Sequence, residues 1–170
     1  KAFEIYKRTM EVIRQENESA PMIQLHVGFC TSIIGYYEKA RDQYTTVITE
    51  NRNAEVTKTA KILCNYLEDI HQEIINVMTS EADPIEKGEK LYKLMAYDEA
   101  IKLLDSAEPE TQEDFERIQY YKARSKEEKG DMKDAVEIYQ DIITQNPNSD
   151  FAVMSNRRIL TLSALNKNNK

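Results

Sequence analysis

Hydrophobic residues recur at three- and four-residue spacing along nearly the whole chain, the period of amphipathic helices. The run from Ala54 to Thr79 shows it most clearly. Val56, Ala60, Leu63, Leu67, Ile70, Ile74 and Val77 alternate by four and three with no internal breaker, which is the spacing of a helical seam. Ile62, Ile75 and Met78 broaden that stripe, so a core helix touching several neighbours suits it better than a dimer seam. Periodicity, caps and stops together predict about nine helices: Ala2–Gln15, Met22–Ile34, Tyr36–Glu50, Ala54–Thr79, Pro84–Leu94, Tyr97–Ala107, Glu110–Lys129, Met132–Gln145 and a last one, Asp150–Leu165. Pro84 fits the first turn of a helix and Pro147 stops one. Four glycines and four prolines in 170 residues are too few for a sheet protein, which turns every ~8–12 residues. The pattern is all-α.

Within this pattern one phrase is written three times. Around Gly35, Met95 and Gly130 the same offsets return. Five residues after each stands alanine (Ala40, Ala100, Ala135), and nine after stands a bulky residue (Tyr44, Leu104, Tyr139). Seven before stands a small one (Gly28, Gly88, Ala123), and Ala2 to Tyr6 echo Ala135 to Tyr139. The spacing suits two closely packed antiparallel helices. A small residue on the first lets the second approach, and a glycine hinge ends the first in a left-handed conformation at low cost. Such a hairpin cannot bury its apolar faces alone and must stack on others.

These residues resemble the tetratricopeptide repeat family of 34-residue helix-turn-helix units. The best segment is 116–149, with Ala123, Gly130, Ala135, Tyr139 and Pro147; segments 81–110 and 21–53 follow the same plan. Departures are visible too. Gln24, Pro84 and Gln119 stand where a large aromatic often opens a repeat, Met95 replaces the hinge glycine, and helix 54–79 interrupts the array. The resemblance implies a single domain over residues 1–170: a right-handed stack of antiparallel hairpins with one long inserted helix, closed by a capping helix at 150–165. It also implies a non-enzymatic scaffold that binds a peptide or helix of another protein in a concave groove lined by first helices. Projected onto this sequence, the groove positions are Leu25, Phe29 and Ser32, then Ile85, Glu89 and Tyr92, then Tyr120, Arg124 and Glu127. The apolar ones equally suit packing against a neighbouring helix. Of the polar set that grips a C-terminal carboxylate in one subclass, only Arg124 fits, so an apolar segment with an acidic group near Arg124 is the expected ligand.

Charge and chemistry narrow the picture. A formal charge of −7 disfavours phosphate backbones, which need clustered Lys and Arg; Arg157-Arg158 and the tail from Asn166 to Lys170 read as solvated ends. No stretch approaches the ~20 apolar residues of a membrane span. Neither a catalytic residue nor a metal or other cofactor site is expected. Cys64, Glu68 and His71 share a helix face but lack a fourth ligand, and His26 with Cys30 lacks an orienting acid. Cys30 and Cys64 read as free thiols rather than a pair. Tyr36-Tyr37 and Tyr120-Tyr121 cannot both face inward, so one of each pair is expected at a groove or solvent edge. Asn17-Glu18-Ser19 is a glycosylation sequon only in a secretory setting. No signal peptide is visible, which slightly favours the cytoplasm, but the start at Lys1 rather than methionine points to a fragment or processed form and leaves a bacterial envelope location open if an N-terminal signal was removed. Two other functions are consistent with the sequence: oligomerisation through helix 54–79, and an enzyme built on a polar pocket around His26 or His71.

Overall fold

The computed structural model of the chain describes residues 20–33, 35–50 and 53–167. The predicted helix Ala2–Gln15 and the sequon lie outside them. Eight helices are described and no strand: α1 (Ala20–Ile33), α2 (Tyr37–Glu50), α3 (Ala54–Thr79), α4 (Pro84–Lys93), α5 (Tyr97–Asp105), α6 (Gln112–Lys129), α7 (Met132–Gln145) and α8 (Asp150–Lys167). Their starts follow local chemistry. The Asp83 carboxylate accepts from the Ile85 amide at 2.9 Å, with Pro84 opening α4, a position where its missing N–H costs nothing. Thr111 and Asp114 form a reciprocal capping box at α6.

The repeated phrase folds into one hinge, made three times. Gly35, Met95 and Gly130 all adopt positive φ, of 83°, 60° and 95°. Each hinge amide bonds the carbonyl three residues back, and the next amide bonds the carbonyl five back: Gly35 to Ser32 and Tyr36 to Thr31, Met95 to Tyr92 and Ala96 to Leu91, Gly130 to Glu127 and Asp131 to Lys126, all at 2.9–3.1 Å. This is the Schellman closure of a helix. Met95 holds it without a glycine.

The small member of the phrase on the first helix meets the bulky member on the second. A Cβ added to Gly28 would lie 2.4 Å from Tyr44 Cε1, and one on Gly88 would lie 2.5 Å from Leu104 Cγ. Ala123 and Tyr139 share a cluster, both fully buried. Close approach is therefore the reason for the small residues.

The chain divides into two compact units, parting between Asn76 and Val77 near the end of α3. In the first, Leu25, Ala40, Tyr44, Val47, Val56, Ala60 and Leu67 form the core. Of the predicted seam on α3, Val56, Ala60, Leu67, Ile70, Ile74 and Val77 are buried within the chain itself and Leu63 is half-buried, as a core helix requires. Ile62 and Tyr66 remain exposed elsewhere on that helix. In the second unit, α4 packs on α5, α6 on α5 and α7, and α8 on α7, while first helices also meet directly, α4 on α6 and α6 on α8. That adjacency, each element touching the next and each first helix touching the following first helix, is the geometry of stacked hairpins.

Candidate interaction site on the first helices

A cavity of about 690 Å³ opens where α4, α6 and α8 lie side by side, a size ordinary for a binding cleft. Tyr121, Phe151 and Met154 supply its apolar surface. Four carboxylates line it, Glu89, Glu113, Glu116 and Asp150, against one guanidinium, Arg117. Asn146 and Ser149 close it at the α7–α8 turn.

Several of these groups are committed to holding the walls. Arg117 Nε donates to Glu89 Oε2 at 2.9 Å with Nη2 on the same oxygen, and Lys93 reaches Glu89 at 2.6 Å. Burial alone would raise the Glu89 carboxyl, but hydrogen bonds from Lys93 and Arg117 hold it below its ordinary value. Glu116, at 2% exposure, accepts from Asn146 Nδ2 at 2.9 Å and Gln112 Nε2 at 3.2 Å. Its burial also works upward, and the Ser149, Asn146 and Gln112 donors outweigh it, so its carboxyl too is lowered. Glu116 thus ties the turn entering α8 to the start of α6. Glu113 and Asp150 are exposed and form no ion pair among the described residues.

Behind the cavity runs a chain of rings. Tyr97 stacks near Tyr92 (5.9 Å between centroids), Tyr92 near Tyr121 (5.4 Å), Tyr121 edge-on to Tyr120 (5.6 Å), and Tyr120 near Tyr139 and Phe151 (6.0 and 5.6 Å). Burial pushes the Tyr97 and Tyr121 phenols up to about 12. Five helices share this ladder, which fixes the first helices against one another.

The positions projected from the sequence divide sharply. Only Glu89 lines the cavity. Leu25 is buried in the core of the first unit, and Ser32 is 9% exposed, its hydroxyl donating to the Phe29 carbonyl. Phe29 is 49% exposed. Ile85 and Tyr120 are buried, and Tyr92 is half-buried within the ring ladder. Arg124 lies 5.4 Å over the Tyr92 ring and donates to Glu128 at 2.9 Å. Its guanidinium stays firmly charged, burial being outweighed by bonds to Glu128 and Tyr120. Glu127 is 5% exposed, accepting from Tyr139 Oη at 2.8 Å and from Arg158 through Nε at 3.1 Å and Nη2. A ligand acid at Arg124 would have to displace these bonds.

The reason is helix phase. Tyr120, Ala123 and Glu127 share one face, at i, i+3 and i+7, and Ala123 is the packing residue, so that face is core. Leu25, Gly28 and Ser32 repeat the relation. The neighbouring stripe, with Arg117 and Tyr121 four apart, reaches the cavity instead. Of the Tyr120-Tyr121 pair the second stands at the groove, and Tyr36 is more exposed than half-buried Tyr37. Arg158, expected as a solvated end, turns inward to Glu127.

A smaller cavity, about 320 Å³, lies in the first unit between α2 and α3, lined by Tyr37, Glu38, Arg41, Leu67, Glu68, His71 and Gln72. It gathers polar groups around His71, but no hydrogen bond ties the imidazole to Glu38 or Glu68. Among the described residues no three His, Cys, Asp or Glu side chains group to hold a metal, Cys30 and Cys64 are free thiols, and no helix is long and apolar enough to cross a membrane.

Residues 118–149 match the sequence model of the tetratricopeptide repeat, a module that typically mediates protein–protein contact without catalysis. No curated protein and no solved structure matches the chain. By that match residues 118–149 form a tetratricopeptide repeat, and the hinge at Gly130 within it recurs in the same conformation at Gly35 and Met95 of this all-α chain.

Proposed function

We propose that this protein is a non-enzymatic scaffold that docks a peptide or helix of another protein on the first-helix face of its second unit, in the cavity between α4, α6 and α8. The observation that carries the reading is that cavity. It joins an apolar floor at Tyr121, Phe151 and Met154 to unpaired charges at Glu113 and Asp150, on walls already braced by ion pairs and stacked rings. Rigid walls lower the ordering cost of binding, and a few apolar anchors inside a polar rim carry most of the affinity. Oligomerisation through α3 is less favoured, because burying the seam a second time would first require pulling Leu67 and Ile74 out of the core.

The test is affinity capture from the organism's own cells with three baits: wild type, Gln112→Trp to crowd the cavity mouth, and Tyr66→Glu on the exposed side of α3. A partner lost with Gln112→Trp and retained with Tyr66→Glu supports the proposed face. Equal recovery by wild type and Gln112→Trp rejects it.

A further inference from the structure

The charge distribution of this cavity is one-sided in a way that the sequence alone did not expose. Its single cation, Arg117, is already bound to Glu89. Arg124, the only other cation expected to serve a ligand, lies under Glu128 and over Tyr92 at 19% side-chain exposure. On the acidic side, Glu116 is satisfied by Asn146 and Gln112, whereas Glu113 and Asp150 stand exposed and form no ion pair among the described residues. The N-termini of α6 and α8 both point here, each equivalent to about +0.5 charge. Together they offset about one of the four carboxylates and leave the mouth net negative. The cavity lining also includes half-buried Phe151 and Met154, an adaptable thioether that is exposed at 37%.

We infer that the occupant is a segment of another protein carrying an arginine or lysine next to a bulky apolar side chain. The cation sits at Glu113 and Asp150, and the apolar group rests on Phe151, Met154 and Tyr121. This inference rests on the docking reading above and assigns its ligand class. It reverses the expectation of an acidic ligand group near Arg124, because an acid in this cavity meets two free carboxylates and no free cation. The apolar floor sets the site apart from a mere acidic surface: a bare polycation would leave Phe151 and Met154 uncovered.

The experiment is titration of the isotope-labelled full chain, followed by amide NMR shifts, with three capped hexapeptides. One carries arginine beside leucine, one glutamate beside leucine, and one arginine beside glycine. The arginine–leucine peptide is expected to move amides of residues 112–121 and 149–154, and to bind at least fivefold tighter than either other peptide. Raising ionic strength from about 0.01 M to about 0.15 M weakens it, since exposed charges are then screened over about 8 Å. Glu113→Lys with Asp150→Lys, both exposed and unpaired, is expected to weaken it tenfold or more, and Met154→Ala severalfold. Preferential binding of the glutamate–leucine peptide at these amides overturns the inference while leaving the docking face standing. Equal binding by the arginine–glycine peptide overturns the apolar half of it. No shift with any peptide also overturns it, and the capture experiment then decides separately whether the face docks a partner.

Discussion

Replacing Gly88 by alanine tests the packing rule on which the hairpins are built. Alanine is the better helix former by about 0.8–1 kcal/mol, so propensity alone says the substitution stabilises. The geometry says otherwise. The new Cβ would sit 2.5 Å from both Cγ and Cδ2 of Leu104, where apolar carbons prefer about 3.5–4.0 Å. Rotating the methyls cannot relieve a clash with Cγ, so Leu104 must change its χ1 or the two helices must separate by about 1 Å. Leu104 is 1% exposed and packed against Ile85 and Ile118, and overpacking of this kind costs about 1–3 kcal/mol. Net destabilisation of about 1 kcal/mol is expected, read as a lower urea midpoint with an unchanged m-value. A double-mutant cycle isolates the contact. Leu104→Ala alone costs about 2–5 kcal/mol by emptying the site, and in that background Gly88→Ala should turn neutral or stabilising, giving a coupling of about 1 kcal/mol or more. A stabilising Gly88→Ala in the wild-type background, or additive effects in the cycle, would show that close approach is not why glycine stands there.

Four further outcomes follow from the same structure. Tyr139→Phe removes the donor that reaches buried Glu127 at 2.8 Å and should cost about 1.5–3 kcal/mol; Arg158→Ala removes the two guanidinium bonds to that carboxylate, leaving Arg124 at 3.8 Å as its cation, and should also cost about 1.5–3 kcal/mol, both by urea unfolding. Glu116 has its carboxyl lowered in the folded state, so its contribution is fully present above the ordinary value of 4.5 and is lost as pH falls through the lower folded value. Glu116→Gln should therefore flatten the acid limb of a stability–pH curve while changing the alkaline limb little; an unchanged acid limb contradicts that role. Met95 keeps φ at 60°, a conformation that costs a side-chain-bearing residue about 1–2 kcal/mol. In thermal unfolding Met95→Gly should accordingly be more stable than Met95→Ala, and the reverse order would argue against strain at this hinge.

Much of the fold is legible in the sequence because it depends on short-range physics. Helix period, caps and the spacing of small and bulky residues act within a few turns, so the close approach of the paired helices at Gly28 and Gly88 is written in the sequence, while the side chains that fill it, Tyr44 and Leu104, are seen in the structure. Even the left-handed conformation at Met95 follows from alignment with Gly35 and Gly130. The site was less legible. Choosing between Tyr120 and Tyr121, or between Glu127 and Arg117, demands helix phase to within about 100° per residue. The family's general groove positions do not carry that resolution onto α6. The signal was nevertheless present: Tyr120 and Glu127 stand three before and four after Ala123, on the face that must close on α7. What no local pattern encodes is that Arg158, 31 residues from Glu127, would turn inward, or that Glu113 and Asp150 would line the same cavity.

Everything proposed above depends on recognition by the first-helix face of the second unit. Photo-crosslinking in the native cells tests it most directly, with a benzophenone side chain placed singly at Met154 and, for comparison, at Ile62 on α3. Both positions are exposed, so neither probe needs the fold to move. The account expects a discrete adduct from position 154, absent from position 62 and lost when Gln112→Trp crowds the cavity. Adducts from position 62 alone, or a position 154 adduct indifferent to Gln112→Trp, would contradict it.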